Sequence, residues 1–250
     1  MPVRAVIFDL WGTLVGDSVG KVYEEPRRRL RTRLVREALA SAGRLYSEDA
    51  LTSALESFQE KHTALHAESR DIAAPERVEL FLRQLRPGVA GSLTAEELRR
   101  VEDALVTPGR LVPPDPAPGA QEVLKEAKNR GLRLGLISNA GITPGYVLRL
   151  LLAEHGLLPY LQVVTFSDEA RMAKPAAGMF RCTLDALDVA PQEAVFVGDM
   201  PELDVAGPLA VGMWAVQVGD RQMDGVNPHG RVDSLSELLP ELERMGLLGG

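Results

Sequence analysis

At 250 residues and 45% hydrophobic content, the chain can bury a sizeable core, as one large domain or two smaller ones. A formal net charge of -7 leaves no broad basic surface for nucleic acid, and no stretch reaches the roughly 18 consecutive apolar residues of a membrane span. The single cysteine, Cys182, excludes an internal disulfide and a cysteine-built zinc cage. It lies in a helical pattern, "GMFRCTLDALDV", where it reads as a packing residue. The opening "MPVRAVIFDLWG" lacks the apolar region and cleavage site of a signal peptide, so a cytoplasmic location is expected.

In chain order, an apolar strand from Val3 to Phe8 delivers Asp9 and then the loop "LWGTL". From about Asp17 to Val112 apolar residues recur at helical spacing, as in Leu30, Leu34, Val35 and Leu39, then Leu51, Leu55 and Phe58. The same period continues through Val78, Phe81, Leu82 and Leu85, and through Leu98, Val101 and Leu105. This all-helical module breaks at Gly43, at Pro75 and in "RPGVAGS", and Thr94 with Glu97 forms a capping box for its last helix.

After the Pro-rich "LVPPDPAPG" the period changes. Helical patterns alternate with the apolar strands "LRLGLI", "LQVVTF", "AVFVG" and "MWAVQVG". Strands separated by helices of about a dozen residues predict right-handed crossovers and a buried parallel sheet. The first strand has the same buried character and must join that sheet. The expected fold class is therefore α/β, with a core of residues 1–16 and 113–250 interrupted by a helical cap at 17–112.

Ligands of an open parallel sheet bind at the carboxyl ends of its strands. Asp9 and Thr13 follow the first strand, Ser138 and Asn139 the second, Lys174 the third, and Asp199 and Asp204 the fourth. Three carboxylates, two hydroxyls and a lysine suit a phosphate beside a divalent cation. A carboxylate can attack phosphorus and divide hydrolysis into two easier steps. Magnesium prefers a few carboxylate oxygens plus substrate phosphate, which fits Asp9, Asp199 and Asp204. Thr13, Ser138 and Asn139 can donate to phosphoryl oxygens, and Lys174 offsets repulsion between phosphate and carboxylate. Each residue also has a plain structural use in a turn or cap, and it is the ordered set that points to chemistry.

The ordered motifs "DLWGT", "SN", "KP" and "GDMPELD" resemble those of the haloacid dehalogenase superfamily over nearly the whole chain. The resemblance implies a Rossmann-like core with strand order 5-4-1-2-3, a helical cap inserted between the first and second motifs, and a magnesium-dependent phosphatase acting on a small phosphorylated metabolite. It makes Asp9 the nucleophile. It also makes the position held by Trp11 a metal ligand through its backbone carbonyl. The superfamily's phosphatases usually carry a second aspartate at that position, which protonates the leaving group and later activates water. Trp11 keeps the carbonyl and lacks the proton, and general acid–base help is typically worth about 10² to 10⁴ in rate.

Three readings stay open at this stage: a phosphatase for substrates with good leaving groups or with an acid recruited from the cap; a 2-haloacid dehalogenase; and a catalytically inactive binding protein of the same fold. The dehalogenase branch is similar in carrying an aromatic residue here, but it has serine and asparagine where this chain has "GDMPELD". A phosphonate hydrolase would carry a small residue here and a catalytic cap lysine. Lys21 and Lys61 are the cap's lysines, and neither sits in a telling context. Trp11 either narrows the site or packs against the cap. His62 and His66, four apart, read as an ordinary solvated or half-buried helix face without a third metal ligand. The arginine run "PRRRLRTRLVRE" reads as a polar helix face, Trp214 as core or strand-end packing. Oligomeric state leaves no signal.

Overall fold

The computed structural model describes residues 2–16 and 21–248, so the expected cap boundary between residues 16 and 17 and the side chain of Lys21 lie outside the described residues. Strand β1 (Ala5–Phe8) is followed by four long helices, α1 (Lys21–Ser41), α2 (Glu48–Ala67), α3 (Ala74–Leu85) and α4 (Ala95–Leu111). The chain then alternates through α5 (Ala120–Asn129), β2 (Arg133–Ser138), α6 (Gly145–Glu154), β3 (Val163–Phe166) and the one-turn α7 (Ser167–Ala170). Next come α8 (Ala177–Leu187), β4 (Ala194–Gly198), a π-helical turn (Pro201–Ala206), the one-turn α9 (Gly207–Ala210), β5 (Trp214–Val218), β6 (Gly230–Val232) and α10 (Leu238–Arg244).

The six strands form one parallel sheet in the order β3-β2-β1-β4-β5-β6. The expected five-strand order is present, and β6 extends it at the β5 edge. Three residues with Arg231 at their centre make no apolar run, which is why β6 leaves no signal in the sequence. In register, Phe8 stands beside Leu136 of β2 and Val197 of β4. Strand alternation sends Val6 and Phe8 to one face, with Val123 and Leu124 of α5 and Leu148 of α6. Ala5 and Ile7 go to the other, with Met179, Phe180 and Leu184 of α8. The two faces explain why the strands read as nearly unbroken apolar runs.

The stretch "PELDVAGPLAVG" between β4 and β5 is helical, as a π turn followed directly by the one turn of α9. Pro208 supplies no amide hydrogen, and a π turn places Asp204 beneath the end of β4. Pro75 does not break the chain. It sits in the first turn of α3, where its missing amide costs nothing, and the break falls at 68–73. The Thr94–Glu97 capping box is present at α4.

Helices α1 to α4 share an apolar core around Val35, Leu55, Phe58, Phe81 and Val101. They are tied to the sheet end through one buried carboxylate, Asp71. His62 Nε2 and His66 Nε2 lie 2.7 and 3.0 Å from its oxygens, Arg77 Nη2 donates at 2.8 Å and Ser167 Oγ at 2.5 Å. Ser167 in turn accepts from the amide of Ala140 at 2.8 Å, and Arg77 donates to the carbonyls of Ala140 and Gly141. His62 and His66 are therefore not a solvated face. His62 is buried and His66 half-buried, and Asp71, nine residues from His62, is the partner that local spacing could not reveal.

Two other expectations change. Arg31 of the arginine run is buried, donating from Nε to Leu105 O at 2.8 Å, because α1 turns that face onto α4. Cys182 is exposed on α8 and does not pack in the core.

Burial alone would raise the pKa of Asp71, but hydrogen bonds from both histidines and the charge of Arg77 hold it well below the ordinary 3.8. Its stabilisation is therefore present above that ordinary value and lost as pH falls toward the depressed one. Asp71→Asn, which leaves the Arg77 charge buried without its partner, should lower stability by about 3 kcal/mol in urea unfolding at neutral pH. A loss under about 1 kcal/mol would show that the network does not anchor the helices.

Candidate active site

Asp9 begins where β1 ends, and its amide donates to Val197 O at 2.8 Å, so β1 and β4 stay paired to the edge of the site. Strand order reverses at β1, with β2 on one side and β4 on the other, which opens the crevice where ligands of such sheets bind. After Asp9 the chain turns sharply. Gly12 has φ +74°, and Leu14 and Val15 donate back to Leu10 O. Thr13 follows in this turn and is buried, and its Oγ1 has no hydrogen-bond partner among the described residues.

Lys174 enters from the loop before α8 and is 2% exposed. Its ammonium donates to Asp9 Oδ1 and to Asp204 Oδ1, both at 2.6 Å, and lies 5.2 Å from the centre of the Phe196 ring. Burial opposes the charge on Lys174, but Asp204 and Asp9 outweigh it and raise its pKa. Asp204 Oδ2 accepts from Met200 N at 3.0 Å, so both its oxygens are engaged by the protein. Gly198 makes room for this carboxylate, since a Cβ there would lie 2.5 Å from Asp204 atoms.

Asn139 divides its roles. Its Oδ1 accepts from Lys174 N at 2.7 Å and its Nδ2 donates to Lys174 O at 3.1 Å, so the side chain clamps the lysine loop. One amide hydrogen is left for a ligand. Ser138 is fully buried, with only a long 3.4 Å contact from Oγ to Asn139 O.

Burial raises the pKa of Asp9 to about 7, with the Lys174 charge opposing and Asp204 reinforcing the shift. Burial and then Asp204 raise Asp199 to about 6. Carboxylate oxygens of Asp9, Asp199 and Asp204 come within 4.8 Å of one another, and Asp199 Oδ1 is buried without a hydrogen-bond partner among the described residues. Three buried acids against one buried lysine, with an orphaned oxygen among them, fit a hard divalent cation. Arg221, which sequence reasoning missed, places Nη1 3.6 Å from Asp199 Oδ2. It arrives from the loop after β5, where nothing in the local pattern marks it.

Trp11 is half-buried, and the guanidinium of Arg27 on α1 lies 5.7 Å from its ring centre. The indole therefore packs against the inserted helices while forming the wall of a cavity of about 410 Å³ between them and the Asn139 loop. Among the described residues no helix is long and apolar enough to cross a membrane. Trp214 starts β5 half-buried, its Nε1 donating to Gln192 O at 3.2 Å.

A family model described as haloacid dehalogenase-like hydrolase matches residues 3–212. The chain is 35% identical over 161 residues to phosphoserine phosphatase of Thermus thermophilus, covering 64% of this chain and 61% of that enzyme. Ribulose-1,5-bisphosphate 5-phosphatase of Halopiger xanaduensis is matched at 37% identity over 40% of each chain, and glyceraldehyde 3-phosphate phosphatase of Methanopyrus kandleri at 24% identity over 90% of this chain and 88% of that enzyme. Among solved structures it resembles a HAD phosphatase from Thermococcus onnurineus, with TM-score 0.61, 27% identity and 98% of each chain covered. A 2-haloacid dehalogenase from Pseudomonas syringae shares the fold at TM-score 0.68 and 20% identity, over 97% of this chain and 99% of that one. With the motifs at the carboxyl ends of a parallel sheet and the family model spanning most of its length, this chain belongs to the haloacid dehalogenase-like hydrolases.

Proposed function

We propose that the protein is a magnesium-dependent phosphatase in which Asp9 takes the phosphoryl group and water then removes it. The observation that carries this reading is the pairing of a buried nucleophile and ammonium at 2.6 Å with two orphaned oxygens, Thr13 Oγ1 and Asp199 Oδ1. A bare structural ion pair would leave neither orphan.

Asp9, Asp199 and the Trp11 carbonyl would hold the ion, with Asp204 supporting them. Bound there, magnesium supplies charge stabilisation for a transferring phosphoryl group. Lys174, Thr13, Ser138 and the free amide hydrogen of Asn139 would hold phosphoryl oxygens. A bond forms between an Asp9 oxygen and phosphorus as the bond to the leaving group breaks, and the leaving group departs with the electron pair. Water then forms a bond to phosphorus, the Asp9–phosphorus bond breaks, and the proton passes to solvent. Helices α1 to α4 would act as the cap that closes over this site.

The indole of Trp11 holds no proton to give. A leaving group that departs as a stable anion needs none, so an acyl phosphate suits this site better than an alkyl ester. Purified protein should hydrolyse acetyl phosphate faster than p-nitrophenyl phosphate when magnesium is present. Chelation or Asp9→Asn should abolish both activities. Turnover that survives Asp9→Asn would end the reading, and chloride release from short 2-haloacids would then support the dehalogenase alternative. Silence in both assays would leave a binding protein of the same fold.

Introducing the absent acid with Trp11→Asp should raise alkyl monoesterase activity by at least about tenfold, within the range that general acid catalysis contributes. No gain in a folded variant would overturn the missing-acid explanation.

The raised pKa values give a third outcome. Acids that hold protons more tightly when folded lose stabilisation as pH rises from the ordinary 3.8 toward about 7 for Asp9 and about 6 for Asp199. Magnesium competes with those protons. Its stabilisation in thermal unfolding should therefore be larger at a pH of about 8 than at about 5. An equal shift at both would place the ion elsewhere.

A further inference from the structure

We propose that the cavity between Trp11 and the inserted helices is a second anion-binding subsite, built on Arg27 and Arg31. The compound hydrolysed would then be a phosphorylated molecule carrying another anionic group, a carboxylate or a second phosphate. The substrate class rests on the phosphoryl-transfer reading; the subsite itself does not.

The cavity, of about 410 Å³, is lined on the sheet side by Trp11, Asn139 and Thr143 and on the helix side by Arg27, Arg31 and His66. Trp11 lies two residues after the nucleophile, and Asn139 clamps the lysine loop. A molecule with its phosphoryl group at Asp9 would therefore extend into this space.

The arginines of α1 divide into two sets. Arg28 and Arg29 pair with Glu25 at 2.6 Å each, and Arg28, which also lines the cavity, reaches Glu56 there. Arg27 and Arg31 have no ion pair among the described residues. Each instead donates Nε to a backbone carbonyl at 2.8 Å, Arg27 to Val112 and Arg31 to Leu105. Each is thus held in place by a backbone carbonyl, with no carboxylate among the described residues within ion-pair distance. Arg27 Nη2 is buried with no acceptor among the described residues, and its guanidinium lies 5.7 Å from the centre of the Trp11 ring and 5.4 Å from that of Tyr23.

Burial, followed by the charge of Arg27, lowers Arg31 to about 10, and Glu24 opposes this more weakly. Two guanidiniums therefore repel one another beside the cavity. Glu24 and Glu56 also line it, but Glu24 is exposed and Glu56 faces Arg28. The histidine in the wall, His66, is held by Asp71 at 3.0 Å. Paired, unneutralised guanidiniums against an aromatic wall match the planar recognition of carboxylate or phosphate oxygens.

The test uses compounds that cannot turn over. Binding of propylphosphonate, 3-phosphonopropionate and propane-1,3-bisphosphonate to the full chain with magnesium would be measured by calorimetry. The native protein should bind the two-anion compounds at least about tenfold more tightly than propylphosphonate, and the stronger of the two identifies the carboxylate or phosphate source. Arg27→Gln should bring all three to similar affinity. Equal affinities in the native protein, or no binding of any, would overturn the subsite whether or not the variant folds. A preference that survives in folded Arg27→Gln would overturn the assignment to Arg27. Failure of acetyl phosphate hydrolysis beside an intact preference would count against the phosphatase reading alone.

Discussion

The site is organised around one buried ammonium. Lys174 lies between Asp9 and Asp204 at 2.6 Å from each, and all three are almost wholly withdrawn from water. Burying a charge is costly unless partners repay it, and here the lysine and its two partners come from three separate loops. Asp9 follows β1, Lys174 follows β3 and α7, and Asp204 sits in the π turn after β4. The ammonium joins those loops electrostatically, and removing any member would leave the remaining charges uncompensated in a low-dielectric setting. Asn139 reinforces the arrangement from β2 by clasping both backbone groups of Lys174.

Around that centre, charge remains unbalanced in opposite senses on two sides. Beside Asp199 there is surplus negative charge and an orphaned carboxylate oxygen, a setting for a cation. Beyond Trp11 there is surplus positive charge and an orphaned guanidinium edge. Trp11 stands at the boundary. An aspartate at this position would add a fourth acid to Asp9, Asp199 and Asp204, whereas the indole faces Arg27 and adds no negative charge to that side. The absence of a carboxylic acid at this position and the ring that faces Arg27 are thus two consequences of one residue.

The Asp71 network explains how the inserted helices can sit over such a site. Asp71 draws its partners from α2 and α3 on one side and from Ser167 on the other, while Arg77 reaches the carbonyls that follow Asn139. Helix packing is therefore registered to the same loops that carry the chemistry, and His66 belongs both to the network and to the cavity wall.

By itself, the sequence determined the parallel sheet, the helical insertion and the order of the motif residues, because apolar periodicity is local and strand ends in such sheets share one edge. Thr13, Ser138, Asn139, Lys174, Asp199 and Asp204 are each visible as residues that follow a strand. Their division of labour is not. Asn139 binding the lysine loop, and Asp204 holding the ammonium, depend on which loops meet. Tertiary structure alone decided the partnership of His62 and His66 with Asp71, the burial of Arg31, the approach of Arg221 to Asp199, and the stacking of Arg27 on Trp11. The physical reason is the same in each case. Periodicity tells which face of an element is apolar, while the pairing of buried charges is settled only when separate elements exclude water together.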